Sequence, residues 1–240
     1  MAGWQEFLRA AVARYGPGGT YWSLVYPNQF PGTPALPIRT WQVWNEPNLE
    51  PTFPPRPSPR KYARLVRISH DAITQQDPRA QILLAGMPGY TGFRAWRYLD
   101  RLYRQPGIKR DFDAVALNPY SPDVRHVMTQ IKRTRRVMTG HGDADAPVWI
   151  TELGWGSDDP DKFGINRGIQ GQKRMLRRTF LQLARTRHRW NLRHVLWFDW
   201  RDPPPHALGC SFCNSSGLFR HGGAPKPAWR AFLRVAARRR

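Results

Sequence analysis

Two glutamates each follow directly on a short apolar stretch of the sequence. Glu46 lies in the run Trp-Asn-Glu-Pro just after residues 40–44, and Glu152 comes after residues 147–151. Each apolar stretch has the length of a buried strand, so each carboxyl group is expected one step past the end of its own strand. A pair of carboxyl groups across a pocket can cleave a glycosidic bond, because one donates a proton to the leaving oxygen while the other attacks the sugar or activates water. The pattern predicts a carboxyl pair with that chemistry.

Other polar and aromatic side chains stand at corresponding places. Asn118 and Tyr120 follow the apolar residues 113–117, and Trp200 follows residues 194–198. The carboxyl ends of parallel strands in a barrel lie on one face of the fold, where active sites are built. We therefore expect these side chains on the same face as the two glutamates, with Tyr120 near Glu152.

Strands alternate with amphipathic helices along the whole chain. A helix comes first, a strand and a helix then alternate five times, and residues 20–39 read as an irregular connection because they are rich in Pro, Gly and Asn. The predicted strands are 40–44, 81–85, 113–117, 147–151 and 194–198. The predicted helices are 4–15, 58–77, 96–103, 124–138, 169–183 and 229–236, with a frayed end at 238–240.

This alternation indicates the α/β class with a parallel sheet covered by helices, since parallel strands need crossover connections. A barrel and a doubly wound sheet both fit the alternation. No glycine-rich phosphate-binding sequence follows any predicted strand, which argues against a nucleotide-binding sheet. The polar residues just past the strand ends favour a (β/α)8 barrel.

Tryptophans near the strand ends could supply flat platforms for sugar rings. Trp155, Trp197 and Trp200 are the stronger candidates for the pocket, whereas Trp41 and Trp149 lie within strands and are expected to pack in the core.

Four motifs together resemble the later part of a clan A glycoside hydrolase, with the nearest likeness to family 39 and to cellulase-like family 5 enzymes. They are Trp44-Asn45-Glu46-Pro47, Asn118-Pro119-Tyr120-Ser121, Ile150-Thr151-Glu152-Leu153-Gly154, and the pair Gly217-Leu218-Phe219 and Lys226-Pro227-Ala228-Trp229. The Asn-Glu-Pro tripeptide is moderately specific alone, and the combination is much more so.

The resemblance implies a role for each matching residue. Glu46 would be the general acid/base, Glu152 the nucleophile, and Asn45 would hold the 2-hydroxyl of the sugar. Tyr120 would hydrogen-bond Glu152, and Trp197 would line a sugar subsite. Enzymes of this clan retain the anomeric configuration through a covalent glycosyl-enzyme, which requires carboxyl groups about 5 Å apart.

Two departures from the clan stand out. Many members carry His on the sixth strand where this chain has Asn118, and the Glu46 strand corresponds to the fourth strand of the clan's barrel. The chain is therefore expected to be one N-terminally truncated barrel domain over residues 1–240, with about five of eight strands. A second-strand arginine that the clan places near the nucleophile would be missing as well.

Three function classes stay open on the sequence. The first is a retaining hydrolase of O-glycosidic bonds in polysaccharide catabolism, with Glu46 and Glu152 as its working residues. The second is an inactive or truncated relative that still binds carbohydrate. The third is a basic protein that binds nucleic acid and uses its carboxyl groups only for structure.

The formal net charge of +21 can attract nucleic acid, anionic lipid or acidic polysaccharide. The arginines are spread over several helices, however, including residues 167–189, and this spread is typical of solvated helix faces. We expect a carbohydrate substrate, no specific nucleic acid and no membrane partner.

Cys210 and Cys213 are the only cysteines, and their spacing within a loop favours a local disulfide over a zinc site. That disulfide would hint at an extracytoplasmic parent protein, although the sequence has no recognisable signal peptide. His126, His188 and His194 lack partners at metal-ligand spacing, so no metal and no organic cofactor is expected.

Overall fold

The computed structural model describes residues 2–90 and 92–237. The frayed end predicted at 238–240 lies outside the described residues. Within them the chain forms seven α-helices, five β-strands and three short helices of other types. The α-helices are α1 (Ala2–Tyr15), α2 (Tyr26–Gln29), α3 (Pro59–Thr74), α4 (Ala95–Tyr103), α5 (Val124–Gly140), α6 (Gly168–Thr186) and α7 (Pro227–Ala237). The strands are β1 (Thr40–Val43), β2 (Gln81–Leu84), β3 (Val115–Leu117), β4 (Val148–Ile150) and β5 (Leu192–Val195). A π-helix spans Tyr21–Val25, and 3-10 helices span Ile108–Arg110 and Phe212–Asn214.

The chain divides into two compact units. The first comprises Met1–Ala85 and Arg97–Val115, and the second comprises Gly86–Trp96 and Ala116–Arg240. The single domain expected over the whole chain stays a prediction.

In the first unit, β1 and β2 form a parallel pair, with Thr40 opposite Gln81 and Val43 opposite Leu84. The helix α3 begins where the sequence predicts, because Pro59 fits the first turn and the Ser58 side chain accepts a hydrogen bond from the Lys61 N–H at 3.3 Å. The apolar face of α3 is buried in the unit.

In the second unit, three parallel strands lie in the order β3-β4-β5. The helix α5 begins at an Asp123 cap, whose carboxylate accepts the His126 N–H at 2.9 Å. The helix α6 buries one face, including Leu176 and Phe180, and packs against α7 through the rings of Phe180 and Phe232. Its other face is basic and exposed; the exposed arginines of and just after α6 are Arg174, Arg177, Arg178, Arg185, Arg187 and Arg189. The solvated helix face expected from the arginine spread is therefore confirmed for α6.

The α/β class with parallel strands is confirmed, and four of the five strands end within two residues of the predicted ends. The last strand is shifted: β5 spans Leu192–Val195 rather than 194–198. Its partner β4 ends at Ile150. The Leu196 N–H donates to the Ile150 carbonyl, and the pairing of the two strands ends there. Arg193 and His194 are exposed on this strand, which has a partner on one side only within the described chain.

Two further predictions need correction. The segment 20–39 is not irregular throughout, because a π-helix and α2 occupy its first ten residues. The first strand ends at Val43 and not at Trp44, since Trp44 has a φ of 70° and so leaves the extended conformation. No helix of the described residues combines the length and apolarity needed to cross a membrane.

Candidate active site

The loop after β1 carries Asn45 and Glu46 in an unusual backbone conformation. Trp44 has a φ of 70° and Glu46 a φ of 48°, and both angles lie in the left-handed region that L-residues other than glycine rarely adopt. For a residue as bulky as tryptophan this is a strained conformation. Such strain is commonly found at functional sites, where surrounding contacts hold it in place.

Hydrogen bonds from Thr52, Leu49 and Trp44 help to hold this loop. The Glu46 carbonyl accepts the Leu49 N–H at 2.9 Å and the Thr52 hydroxyl at 2.5 Å, and the Trp44 indole N–H donates to the Thr52 carbonyl at 2.8 Å. Thr52 therefore ties the Trp44 ring and the Glu46 backbone to the same point of the loop. Asn45 is exposed and Glu46 is half-buried.

A buried tyrosine fixes the strand end from which this loop departs. The Tyr62 hydroxyl on α3 donates to the Val43 carbonyl at 2.9 Å and accepts the Ala85 N–H at 2.7 Å. It thereby joins the carboxyl ends of β1 and β2. Burial raises the pKa of Tyr62 well above its usual value, more than the Ala85 hydrogen bond lowers it, so the hydroxyl stays protonated and able to donate.

The second glutamate follows β4 and meets Tyr120, which follows β3. The Tyr120 hydroxyl donates to Oε2 of Glu152 at 2.9 Å, as expected from the resemblance. The backbone brings the two together because the Thr151 N–H donates to the Leu117 carbonyl at 3.0 Å, continuing the pairing of β3 and β4. Glu152 is half-buried and Tyr120 is buried.

Two phenylalanines flank Tyr120 and were not predicted. The Phe198 ring stands edge-on to it at 6.2 Å and 90°, and the Phe212 ring lies 5.0 Å away at 58°. Phe198 can come this close to the end of β4 because Gly154 has no side chain: a Cβ there would overlap the Phe198 carbonyl oxygen. Phe198 and Phe212 thus form an aromatic wall around Tyr120, the residue that donates to Glu152. Phe198 lies in the run Trp-Phe-Asp-Trp after β5, the part of the sequence that could have indicated it.

The predicted substrate-binding residues of the second unit lie in different surroundings. Asn118 is fully buried and its side-chain carbonyl accepts the Thr151 hydroxyl at 2.9 Å. Trp155 is also fully buried and its indole N–H donates to the Ser121 carbonyl at 2.9 Å, a place that fits core packing better than a sugar platform.

The other two tryptophans point to neighbouring aromatic side chains. Trp197 lies 6.2 Å from Phe180 and donates to the Ser216 carbonyl at 2.9 Å. Trp200 is 59% exposed and packs on Phe219 with ring centroids 4.8 Å apart. The sugar-binding roles expected for Trp197 and Trp200 stay predictions.

The loop that carries Phe212 is anchored from several sides. Cys210 and Cys213 form a disulfide around it. The buried Gln172 side chain of α6 donates to the carbonyls of Trp155 and of the residues 215–217, at 3.0 to 3.3 Å. These contacts hold Phe212 against Tyr120.

A buried lysine anchors the same loop. The Lys226 ammonium donates to Asp202 at 2.7 Å, to the Ser215 carbonyl at 2.8 Å and to the Ser157 hydroxyl at 2.9 Å. Burial lowers the pKa of Lys226, and the Asp202 carboxylate partly offsets that effect. With three acceptors around its buried charge, Lys226 stabilises this loop. Lys226 is the first residue of the Lys-Pro-Ala-Trp motif on which the resemblance partly rests.

Among the predicted residues, the structure brings Tyr120 and Glu152 into direct contact. Asn45 and Glu46 belong to the first unit, and the other predicted site residues belong to the second. Within the part of the chain that the structure describes, no group of three or more His, Cys, Asp or Glu side chains is arranged to hold a metal ion.

Several solved structures have a similar fold. A family 39 β-xylosidase from Caulobacter crescentus matches 98% of this chain and 47% of its own, with a TM-score of 0.68 and 18% sequence identity. A family 39 enzyme from Xanthomonas axonopodis pv. citri matches 98% of this chain and 45% of its own, with a TM-score of 0.66 and 16% identity. A glucosidase from Croceicoccus marinus matches 98% of this chain and 46% of its own, with a TM-score of 0.70 and 14% identity.

These matches confirm the resemblance to family 39 glycoside hydrolases at the level of fold. The chain spans about half the length of the three proteins. No protein-family model matches the sequence, and no curated protein is significantly similar to it.

Proposed function

We propose that the chain is the catalytic part of a retaining glycoside hydrolase that cleaves O-glycosidic bonds of an oligo- or polysaccharide. The observation that carries this proposal is the hydrogen bond from Tyr120 to Glu152 at the end of β4, beside the aromatic wall of Phe198 and Phe212. A hydrogen bond donated to a carboxylate stabilises its charged form, which is the form that attacks. The fold shared with β-xylosidases and a glucosidase supports the same chemistry.

The proposal includes a fold assignment. The five parallel strands with their helices would be part of a (β/α)8 barrel, in which catalytic groups come from the carboxyl ends of different strands. The positions of Asn45-Glu46 after β1, Tyr120 after β3 and Glu152 after β4 support this assignment.

In the first step, the Glu152 carboxylate attacks the anomeric carbon and forms a glycosyl ester, while the bond from that carbon to the glycosidic oxygen breaks. Glu46 gives its proton to that oxygen, so the leaving group departs as a neutral alcohol. Asn45 would hold the 2-hydroxyl of the sugar. Trp197 would line a sugar subsite, and the Phe198 ring beside Tyr120 would add apolar surface for the ring of the bound sugar.

In the second step, the Glu46 carboxylate takes a proton from a water molecule, whose oxygen attacks the anomeric carbon. The ester bond to Glu152 breaks and the carboxylate is restored. Two inversions leave the anomeric configuration unchanged. Tyr120 would act as a positioning residue that holds the Glu152 carboxylate in its attacking orientation.

Hydrolysis of nitrophenyl β-xyloside and β-glucoside by the full chain tests the proposal. We expect Glu152→Ala to abolish turnover and azide to restore it, with a glycosyl azide of inverted anomeric configuration as product. We expect Glu46→Ala with azide to give the azide of retained configuration, because the nucleophile is still present. Glu50→Ala removes an exposed glutamate of the same loop and should leave the rate unchanged.

The alternatives make different predictions. An inactive relative would bind oligosaccharide without hydrolysing any of the glycosides, and neither azide product would form. A nucleic-acid-binding protein would bind DNA in a strongly salt-dependent way and be indifferent to glycans.

A further inference from the structure

We propose that a groove in the first unit, lined by Trp44, Phe53, Pro54, Lys61, Arg64 and Leu65, binds a sugar that carries a carboxylate, on the leaving-group side of the bond that is cleaved. The inference rests on the proposed function, because the leaving-group side is defined by the general acid. The substrate class that follows is an acidic saccharide containing uronic acid.

The groove belongs to the loop that carries Glu46. Its cavity has a volume of about 500 Å³, enough for one or two sugar rings. Trp44 lies two residues before Glu46, and Thr52 binds both the Trp44 indole and the Glu46 carbonyl. An acid that protonates the glycosidic oxygen stands beside the leaving group, so a pocket built from its own loop is well placed for that part of the substrate.

The groove offers a partly exposed aromatic side chain. Trp44 is 41% exposed, so part of this large aromatic side chain is available to a ligand. The Phe53 ring lies 6.2 Å from the indole at 89°, and the Trp4 ring lies 6.1 Å from it at 69°. These two contacts fix the orientation of the indole, whose exposed part suits the apolar face of one sugar ring.

Two cations lie beside that ring without a counter-charge. Lys61 and Arg64 are exposed on the first turns of α3, and the described residues provide neither an ion pair nor a side-chain hydrogen bond to either of them. No acidic residue lines the groove. A bound carboxylate would give both cations a counter-charge, whereas a neutral sugar would leave them without one.

The same elements fit single-stranded nucleic acid less well. Proteins of that kind stack successive bases on several aromatic rings along a basic groove. The two aromatic rings that line this groove, Trp44 and Phe53, are perpendicular to each other, so they cannot both stack on successive parallel bases.

Binding by calorimetry separates these possibilities without requiring turnover. The ligands are a uronic-acid tetrasaccharide, its methyl ester as a neutral match, and a single-stranded oligonucleotide, each measured with the Glu152→Ala chain so that no ligand is consumed. We expect the acid form to bind more tightly than the ester. The double variant Lys61→Ala/Arg64→Ala should weaken binding of the acid form by about 3- to 30-fold and leave the ester unchanged.

A matched control removes the same charge elsewhere. Arg177→Ala/Arg178→Ala on α6 also lowers the net charge by two, and we expect it to leave the acid form's affinity within about twofold. Equal losses in the two double variants would mean that the overall charge attracts the ligand, and the inference would be wrong. Equal affinity for acid and ester, or tighter oligonucleotide binding that depends on Lys61 and Arg64, would also overturn it. Acid-selective binding without hydrolysis of any glycoside would instead leave the groove assignment in place and refute the proposed function.

Discussion

The Tyr62 hydroxyl connects the scaffold of the first unit to the Glu46 loop, and Tyr62→Phe tests how much depends on it. The substitution keeps the ring and its contacts with Phe53 and Tyr98, at 6.3 Å and 6.2 Å, so it opens almost no cavity. It removes both hydrogen bonds at the ends of β1 and β2. Val43 is 2% exposed and Ala85 is 0% exposed, so water cannot easily replace the hydroxyl as a hydrogen-bond partner of their backbone groups.

The expected loss of stability follows from these two bonds. A buried N–H left without an acceptor at Ala85 costs about 1 to 3 kcal/mol, and the lost bond to the Val43 carbonyl adds about 0.5 to 1.5 kcal/mol. The sum is about 1.5 to 4.5 kcal/mol. This is a substantial share of the free energy of unfolding of a typical protein, which is roughly 5 to 15 kcal/mol. Urea unfolding followed by far-UV circular dichroism measures it as a lower midpoint. Tyr21→Phe is the control, because that hydroxyl makes one exposed bond of 3.3 Å to Gln29.

The pH dependence gives a second measure. Burial raises the pKa of Tyr62 from its usual 10.0, so above pH 10 the unfolded chain releases a proton that the folded chain keeps. Stability is therefore fully present below pH 10 and falls as pH rises, by up to about 1.4 kcal/mol per pH unit for this group. Tyr62→Phe should make this alkaline decline shallower than Tyr21→Phe does. A midpoint shift no larger than that of the control, with an unchanged alkaline decline, would refute the reasoning.

Three further substitutions test the second unit. Tyr120→Phe should lower kcat/KM for an aryl glycoside by about 10- to 150-fold, since a bond to a charged group contributes about 1.5 to 3 kcal/mol, with little change in the thermal midpoint; an unchanged rate would exclude a role in positioning Glu152. Gly154→Ala should lower the thermal midpoint by several degrees, because its methyl group would meet the Phe198 carbonyl, and an unaltered midpoint would contradict that packing. Lys226→Met should cost about 3 to 5 kcal/mol in urea unfolding, since it leaves a carboxylate of a buried pair alone, and a neutral result would show that the pair is not buried in solution.

Strands and helices of the interior could be predicted because their patterns reflect burial alone. β1 and β2 have apolar runs bounded by polar or turn residues, and the ends of each run fell within one residue of the strand ends. The position of Glu46 and Glu152 just past a strand followed directly. β5 could not be placed this way, because two of its four residues, Arg193 and His194, are exposed. An edge strand is set by the length of its neighbour, which the sequence of the strand does not contain.

The contact of Phe198 with Tyr120 could not be predicted for a related reason. Side chains along extended backbone alternate between faces, so which ring meets Tyr120 depends on a register that the sequence does not fix. The bend that follows β5 then carries Trp200 onto Phe219. The burial of Lys226 could not be predicted either. Lysine is almost always exposed unless it is paired, and the partner of Lys226, Asp202, lies 24 residues earlier in the chain.

The left-handed backbone at Trp44 is the feature that connects strain with function. At a φ of 70° a residue other than glycine costs about 1 to 3 kcal/mol, and glycine would avoid that cost. The ring contacts of Trp44 with Trp4 and Phe53 and the hydrogen bond to Thr52 each contribute about 0.5 to 1.5 kcal/mol and can offset that cost. A glycine would avoid the strain but could make none of these contacts. It would also remove the partly exposed aromatic surface that Trp44 offers to a ligand beside Lys61 and Arg64.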